Sequence, residues 1–375
     1  MKKTVLLLIL MLPALVLRSQ VRNDSLEYRI RPDSLREGNL FLSINSFSFL
    51  RNYEFFNDFQ DGYTLYGTQL DPQLVYYPSP KLSVMAGASL RKDFGGRGIY
   101  RSYPLFTIKY QSGHSALING VLEGSIHHRF IEPIYDVERR ITDPVEYGTQ
   151  FVVDKEKLFL DAFISWNNMI YKPSGEQERI FAGISSEITL KGAEKLKVSV
   201  PLQLLAFHQG GQIDTVDKPL KTILNGAVGI KATYRLSGFL RSISTENYLV
   251  GYKDQSSTSQ QPFKDGSGLL LNAGVSSKYG DLFCSYWNGT RYIASAGMPI
   301  FQSVSNKIRR EGYTERQREL IFFRYAYQKK LTPNFYLDFR VEPVLDLKSP
   351  GSKQLDFYHS LFLVYRQDFR LLKKK

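Results

Sequence analysis

Cysteine is nearly absent from this 375-residue chain, which contains Cys284 alone. A single cysteine excludes a disulfide within the chain and a cluster of thiolate metal ligands. Histidine is scarce as well, with five residues. No phosphate-binding loop, zinc-protease motif or serine-hydrolase elbow occurs in the sequence. These absences predict no metal, no cofactor and no catalytic residues, and we therefore expect that the protein is not an enzyme.

Long apolar runs are also missing after the first nineteen residues, so no segment is a candidate transmembrane helix. The apolar run from Val5 to Val16 follows Lys2 and Lys3 and precedes the small residue Ser19. This order is typical of a secretory signal peptide, so we expect residues 1–19 to be removed on export. Cleavage there removes three cations and lowers the formal net charge from +13 to +10.

Strand-forming aromatic residues are abundant, with 24 Tyr and 25 Phe. The segment from Leu355 to Arg370 alternates apolar and polar residues without a break, which indicates one long strand with a wet face and an apolar face. No predicted helix is present to cover the apolar face, so we expect it to contact lipid. A strand in lipid needs partners on both edges, which favours a closed barrel whose last strand pairs with its first.

Sixteen candidate strands can be assigned, and the connections between them alternate short and long. This alternation is typical of an outer-membrane barrel, which has short periplasmic turns and longer external loops. We predict a periplasmic lead-in over residues 20–38, an all-β transmembrane antiparallel barrel over 39–370, and a basic tail over 371–375. The predicted strands are 39–51, 63–77, 81–93, 101–111, 115–126, 146–153, 156–170, 179–190, 196–208, 220–235, 240–252, 268–278, 282–288, 319–329, 335–346 and 355–370.

The Lys2-Lys3 start, the Ser19-Gln20 junction, the Tyr- and Phe-rich alternating strands and the short Gly, Asn, Asp and Pro turns resemble outer-membrane β-barrel proteins of the Bacteroidetes type. The resemblance implies a Gram-negative outer-membrane location and a porin-like or transport role. We therefore expect a channel for passive passage of small hydrophilic solutes. The alternatives are a non-conducting accessory barrel of a secretion or envelope-assembly complex, and a lipid or protein hydrolase with its site at the rim.

Strand alternation also predicts which charged side chains face the lumen. Because basic and acidic groups are nearly balanced there, we expect weak charge selectivity. The expected pore-lining residues are Arg91, Lys109, Asp161, Glu187, Lys231, Arg324, Arg340, Glu342 and Arg366. The same alternation places Leu160 in lipid, so Leu160→Arg is expected to be costly and Asp161→Asn tolerated.

The long connection from His127 to Val145 carries ions of both signs beside Ile131, Ile134, Tyr135 and Ile141. A fully solvated loop has little use for these apolar residues, so we expect the loop to fold inward and constrict the opening through Asp136, Glu138, Arg139 and Arg140. The expected partners are outer-membrane lipid, lipopolysaccharide phosphates and the barrel-insertion machinery, with no nucleic acid. The sequence does not indicate the oligomeric state.

Overall fold

Sixteen antiparallel strands form a closed barrel in the computed structural model, which describes residues 23, 25–26, 28–193, 195–349 and 351–373. Each strand pairs with its neighbours in sequence, and β1 pairs with β16 to close the sheet. The strands are β1 Leu40–Glu54, β2 Thr64–Ser79, β3 Leu82–Asp93, β4 Arg101–Ser112, β5 Ser115–Val121, β6 Tyr147–Lys155, β7 Leu158–Asn168, β8 Arg179–Gly192, β9 Leu196–Gln209, β10 Lys221–Arg235, β11 Leu240–Asp254, β12 Asp265–Ser277, β13 Gly280–Thr290, β14 Gln317–Thr332, β15 Phe335–Asp346 and β16 Leu355–Leu372.

The predicted barrel, its strand number and its closure are confirmed. The short connections lie at the periplasmic end, and the longer ones lie at the extracellular end. Burial alternates along the strands as expected, so that Asp161 on β7 is buried in the lumen while Leu160 faces lipid. No helix among the described residues is long and apolar enough to cross a membrane. The predicted signal peptide at residues 1–19 lies outside the described residues.

The largest difference from the predicted strands is at β5. The sequence suggested a strand over 115–126, whereas β5 ends at Val121 and the chain then turns into the lumen. The backbone requires a glycine at this turn, because Gly120 has φ +108° and a Cβ there would lie 2.1 Å from the carbonyl oxygen of Phe106. The early end of β5 leaves the barrel wall low on one side.

The extracellular half of the lumen is filled by two long connections, residues 122–146 and 291–316. Ile131, Ile134 and Tyr135 from the first pack with Met298 and Phe301 from the second in one buried apolar cluster. Inward-facing aromatic side chains of the wall complete the cluster, among them Trp287 and Tyr358. This half of the barrel is therefore packed like a protein core.

In the segment predicted as a loosely ordered periplasmic lead-in, the described residues lie inside the barrel or at its periplasmic mouth. Leu26 is buried among side chains of the wall and of the 122–146 connection. The Ser25 hydroxyl donates to Asp338 at 2.8 Å, and Arg366 donates to the Ser25 carbonyl at 2.7 Å. Near the mouth, Arg36 forms a 2.6 Å ion pair with Asp368. Sequence patterning missed this placement because the partners of the segment lie on strands of the wall and on the 122–146 connection, most of them far away in the sequence.

Candidate functional site

The charged side chains predicted to line a pore all lie on the inner face of the wall, where they form ion pairs. Lys231 lies between Glu187 and Glu246, with nitrogen–oxygen distances of 3.1 and 3.0 Å. Arg324 lies 3.4 Å from Glu342. The remaining predicted residues pair as Arg91 with Asp93, Lys109 with Glu123, Arg340 with Asp338 and Asp161 with His128, while Arg366 hydrogen-bonds to Ser25.

The predicted constriction residues lie inside the barrel on the 122–146 connection, as the apolar residues beside them suggested. Arg140 donates to Gln69 of the wall at 2.6 Å, and Arg139 pairs with Asp143 at 2.5 Å. Glu138 accepts a hydrogen bond from Tyr63. Burial and the nearby Glu138 carboxylate raise the pKa of Asp136 to about 7. These contacts fasten the connection to the wall, and two cavities beside it hold about 140 and about 40 Å³.

His127 and His128 open the connection that was expected to fold inward, and both are buried in the lumen. The two ring nitrogens of His128 lie 3.0 Å from Asp161 and 3.2 Å from Glu146. Both nitrogens face carboxylates, so both donate and the ring is an imidazolium. Burial opposes this charge, but Asp161 and Glu146 outweigh burial and raise the pKa of His128 to about 10. This histidine anchors the connection, and its enclosure leaves no room for a substrate.

A different histidine lies on the lipid-facing wall, at the extracellular end of β9. His208 Nδ1 is 2.9 Å from the Thr222 hydroxyl at the start of β10. Both residues are partly exposed. A hydroxyl within hydrogen-bond distance of an imidazole is the geometry of a nucleophile and its general base.

Two further groups surround this pair on the same face. Ile180 on β8 pairs with His208, and Trp166 on β7 pairs with Ile180. A row of paired residues therefore crosses four strands, and its members are Trp166, Ile180, His208 and Thr222. Trp166 donates a 2.7 Å hydrogen bond to the carboxylate of Glu178. Glu178 precedes Ile180 by two residues, so it lies diagonal to His208. On the other side, Ser256 Oγ accepts from the Thr222 amide at 2.9 Å.

The surroundings place this row at the boundary between lipid and external solvent. Toward the periplasm, the outward positions of β9 are the exposed apolar residues Leu204 and Leu202. Val228 and Ile230 of β10 are exposed in the same way. Toward the outside, the row meets the connections over residues 169–178 and 210–220. A lipid of the outer leaflet would present its headgroup linkages at this depth.

The chain matches the model of a known protein family over residues 30–374. It belongs to the lipid A 3'-O-deacylase-type family. The expectation that the protein is not an enzyme is therefore wrong, because this family is one of enzymes. That expectation rested on the absence of known sequence motifs, but a site assembled from neighbouring strands leaves no continuous motif. No curated protein matches the chain significantly.

Solved outer-membrane barrels share the fold of this family member at low sequence identity. OprD from Pseudomonas aeruginosa is 12% identical, with a TM-score of 0.51 over 92% of this chain and 100% of that one. A loop-deletion mutant of OmpT from Vibrio cholerae is 11% identical, with a TM-score of 0.49 over 88% and 98% of the two chains. The likeness to OprD supports the fold of the protein, a closed sixteen-stranded barrel that is located in the outer membrane.

Sequence reasoning missed His208 and Thr222, although a signal for them was present. The predicted strands 196–208 and 220–235 form a hairpin pair at the extracellular side, and His208 ends one strand while Thr222 lies near the start of the next. The sequence therefore places both residues at the same end of one hairpin, but it does not give the register that brings the imidazole beside the hydroxyl. Among the described residues, no group of three or more His, Cys, Asp or Glu is arranged to hold a metal.

Proposed function

We propose that the protein hydrolyses an acyl ester of lipid A from the lipid-facing wall of the barrel, with Thr222 as nucleophile and His208 as general base. The observation that carries this proposal is the 2.9 Å contact between His208 Nδ1 and Thr222 Oγ1 at the outer-leaflet boundary. Membership of the lipid A 3'-O-deacylase-type family supports the substrate and the reaction. Lipid A reaches this face by diffusion within the membrane, without entering the lumen.

The chemistry requires the Thr222 hydroxyl to donate its hydrogen bond to Nδ1 of His208. The hydroxyl oxygen attacks the ester carbonyl while the imidazole accepts the proton. The imidazolium then gives this proton to the departing alkoxide, which leaves as the free hydroxyl of the deacylated lipid. Water, deprotonated by the same imidazole, attacks the acyl–threonine ester, and the imidazolium returns the proton to the departing Thr222 oxygen as the fatty acid is released.

The neighbouring groups have supporting roles in this proposal. Glu178, held by Trp166 and diagonal to His208, supplies negative charge that stabilises the imidazolium. The Ser256 hydroxyl accepts from the Thr222 amide, so its own hydrogen is free to stabilise the oxyanion that forms at the ester carbonyl. The net positive charge also predicts that external basic side chains contact lipopolysaccharide phosphates. This contact is part of the same proposal.

Purified protein in mixed micelles with lipid A tests the proposal by mass spectrometry of the lipid product. We expect loss of one acyl chain with the native protein, and a fall of at least about 100-fold in rate for Thr222→Val and for His208→Gln. Thr222→Ser keeps a hydroxyl and should keep measurable activity. His359→Gln is the matched control, because His359 is also on the lipid-facing side but lies beside Phe357. Full activity in Thr222→Val would contradict the assignment.

Passive passage of small hydrophilic solutes is a second candidate function. The ion-lined wall favours it, as does a polar chamber of about 470 Å³ at the periplasmic end. The packed connections and the inserted N-terminal segment oppose it, and they equally suit the alternative of a non-conducting accessory barrel. Single-channel recording in planar bilayers separates these possibilities. Regular conductance steps from the native protein would support passage, and their absence would support a closed barrel.

A further inference from the structure

The barrel wall has a notch on its extracellular side between β4 and β7. The ladder between β4 and β5 covers Thr107–Ser112 of β4, and β5 ends at Val121. The first residue of β6 is Tyr147, so two adjacent strands are both short at the same end. Residues 101–106 of β4 continue in a ladder with β3 alone. The missing part of the wall is two strands wide, or about 10 Å, and its height at the β4 side is about six residues, or about 20 Å.

The edge of β4 that faces the notch has no partner strand, and its residues suit an unpaired edge. Pro104 lies on it and has no amide hydrogen, so it leaves no unpaired donor there. Its carbonyl accepts a 2.7 Å hydrogen bond from the hydroxyl of Tyr147, which bridges the notch. Arg101 donates to the Thr142 carbonyl at 3.4 Å and so attaches the chain segment that covers the opening. Two side-chain hydrogen bonds, one from Tyr147 of β6 and one from Arg101 of β4, span the notch in place of a strand ladder.

A cavity of about 140 Å³ lies directly behind the notch. Leu105, Val121 and Val145 line its side nearest the notch. The lining is polar deeper in, where Asp71 accepts hydrogen bonds from Asn45 at 2.9 Å and Ser89 at 2.6 Å. The lining thus changes from apolar at the wall to polar in the lumen.

We propose that the notch is a lateral opening through which an outer-leaflet amphiphile inserts its hydroxylated end into this cavity. The carboxylate of Asp71, the amides of Asn45 and Gln73, and the hydroxyl of Ser89 can exchange hydrogen bonds with neutral hydroxyl groups. Arg140 lines the same cavity as Asp71, so the lining carries charges of both signs. Entry of the head requires the hydrogen bond between Tyr147 and Pro104 to open, and the acyl chain then lies between these two residues. This site is separate from His208 and Thr222 and does not depend on their proposed role.

Photo-crosslinking of the full chain in lipid nanodiscs tests the proposal with two n-octyl glucoside probes. One probe carries a diazirine on the sugar, and the other carries it at the end of the alkyl chain. We expect the sugar probe to label the cavity residues Asp71, Gln73 or Ser89, and the chain probe to label Pro104 or Tyr147. Labelling by the sugar probe confined to the rim or to lipid-facing residues would overturn the proposal.

Filling the cavity provides a matched pair of variants. Leu105→Trp places a large side chain in the cavity and should reduce sugar-probe labelling at least about fivefold. Ile108→Trp makes the same change at a lipid-facing position of β4 and should leave labelling unchanged. Leu105→Phe gives a smaller filling for the same comparison if the tryptophan variant does not fold. Undiminished cavity labelling in a folded Leu105 variant would show that the probe does not enter there.

Discussion

Replacing His128 by glutamine should destabilise the barrel strongly, because this imidazolium separates two buried carboxylates. His128 lies 3.0 Å from Asp161 and 3.2 Å from Glu146, and all three side chains are about 1% exposed or less. Glutamine keeps hydrogen-bonding capacity and removes the positive charge. Removing one partner from a buried ion pair costs about 3–5 kcal/mol. The 122–146 connection should detach from the wall as a result.

The pH dependence follows from the same contacts. The pKa of His128 is raised from 6.5 to about 10, so its stabilising contribution is complete below about pH 6.5 and is lost as the pH rises through about 10. Burial would raise the pKa of Glu146, but His128 and Arg139 outweigh burial and lower it to about 2. The contribution of Glu146 is therefore present above about pH 4.5 and is lost as the pH falls through about 2.

Reversible urea unfolding in lipid vesicles measures this effect. The difference in unfolding free energy between native protein and His128→Gln should be about 3–5 kcal/mol near neutral pH and smaller at pH 10.5 than at pH 8. His359→Gln is the control, since that residue lies on the lipid-facing side, and it should change stability by less than about 1 kcal/mol. A His128→Gln cost below about 1 kcal/mol, or one that does not change with pH, would refute the ion triad.

Three other outcomes are expected. Leu160→Arg places a cation on the lipid face and should cost about 2–4 kcal/mol in the same folding titration, whereas a negligible cost would show a shifted register. Asp161→Asn is no longer expected to be tolerated: it removes one carboxylate from His128 and should lower stability by more than about 1 kcal/mol, a result that equal stability would contradict. Deleting residues 136–142 should increase conductance in planar bilayers, and unchanged conductance would show that this connection does not obstruct the lumen.

The barrel could be predicted because each strand carries its own evidence. Period-two alternation and the alternating connection lengths are local properties, and both follow from the contrast between lipid, lumen and the two membrane surfaces. The inward fold of the 122–146 connection could also be predicted from the sequence, because Ile131, Ile134 and Ile141 have no role in a solvated loop. The end of β5 at Val121 was harder to predict, because it depends on the close approach of Gly120 to Phe106.

The candidate site could not be predicted in the same way, because it depends on pairing between strands. His208 and Thr222 are separated by fourteen positions and meet through the register of β9 with β10. Glu178 comes from the connection before β8, and Trp166 comes from β7. The position of the N-terminal segment is equally non-local, since Leu26 packs against β1, β16 and the 122–146 connection. Contacts of this kind have no period that a single sequence displays.

Trapping the acyl-enzyme is the most direct test of the proposed chemistry. Native protein is mixed with lipid A, quenched with acid within the first turnovers, digested and mapped by mass spectrometry. An acyl group attached to Thr222, and absent from the His208→Gln variant, is the expected result. Lipid A deacylation without any acyl group on Thr222, or with the acyl group on another side chain, would contradict the assignment of Thr222 as the nucleophile.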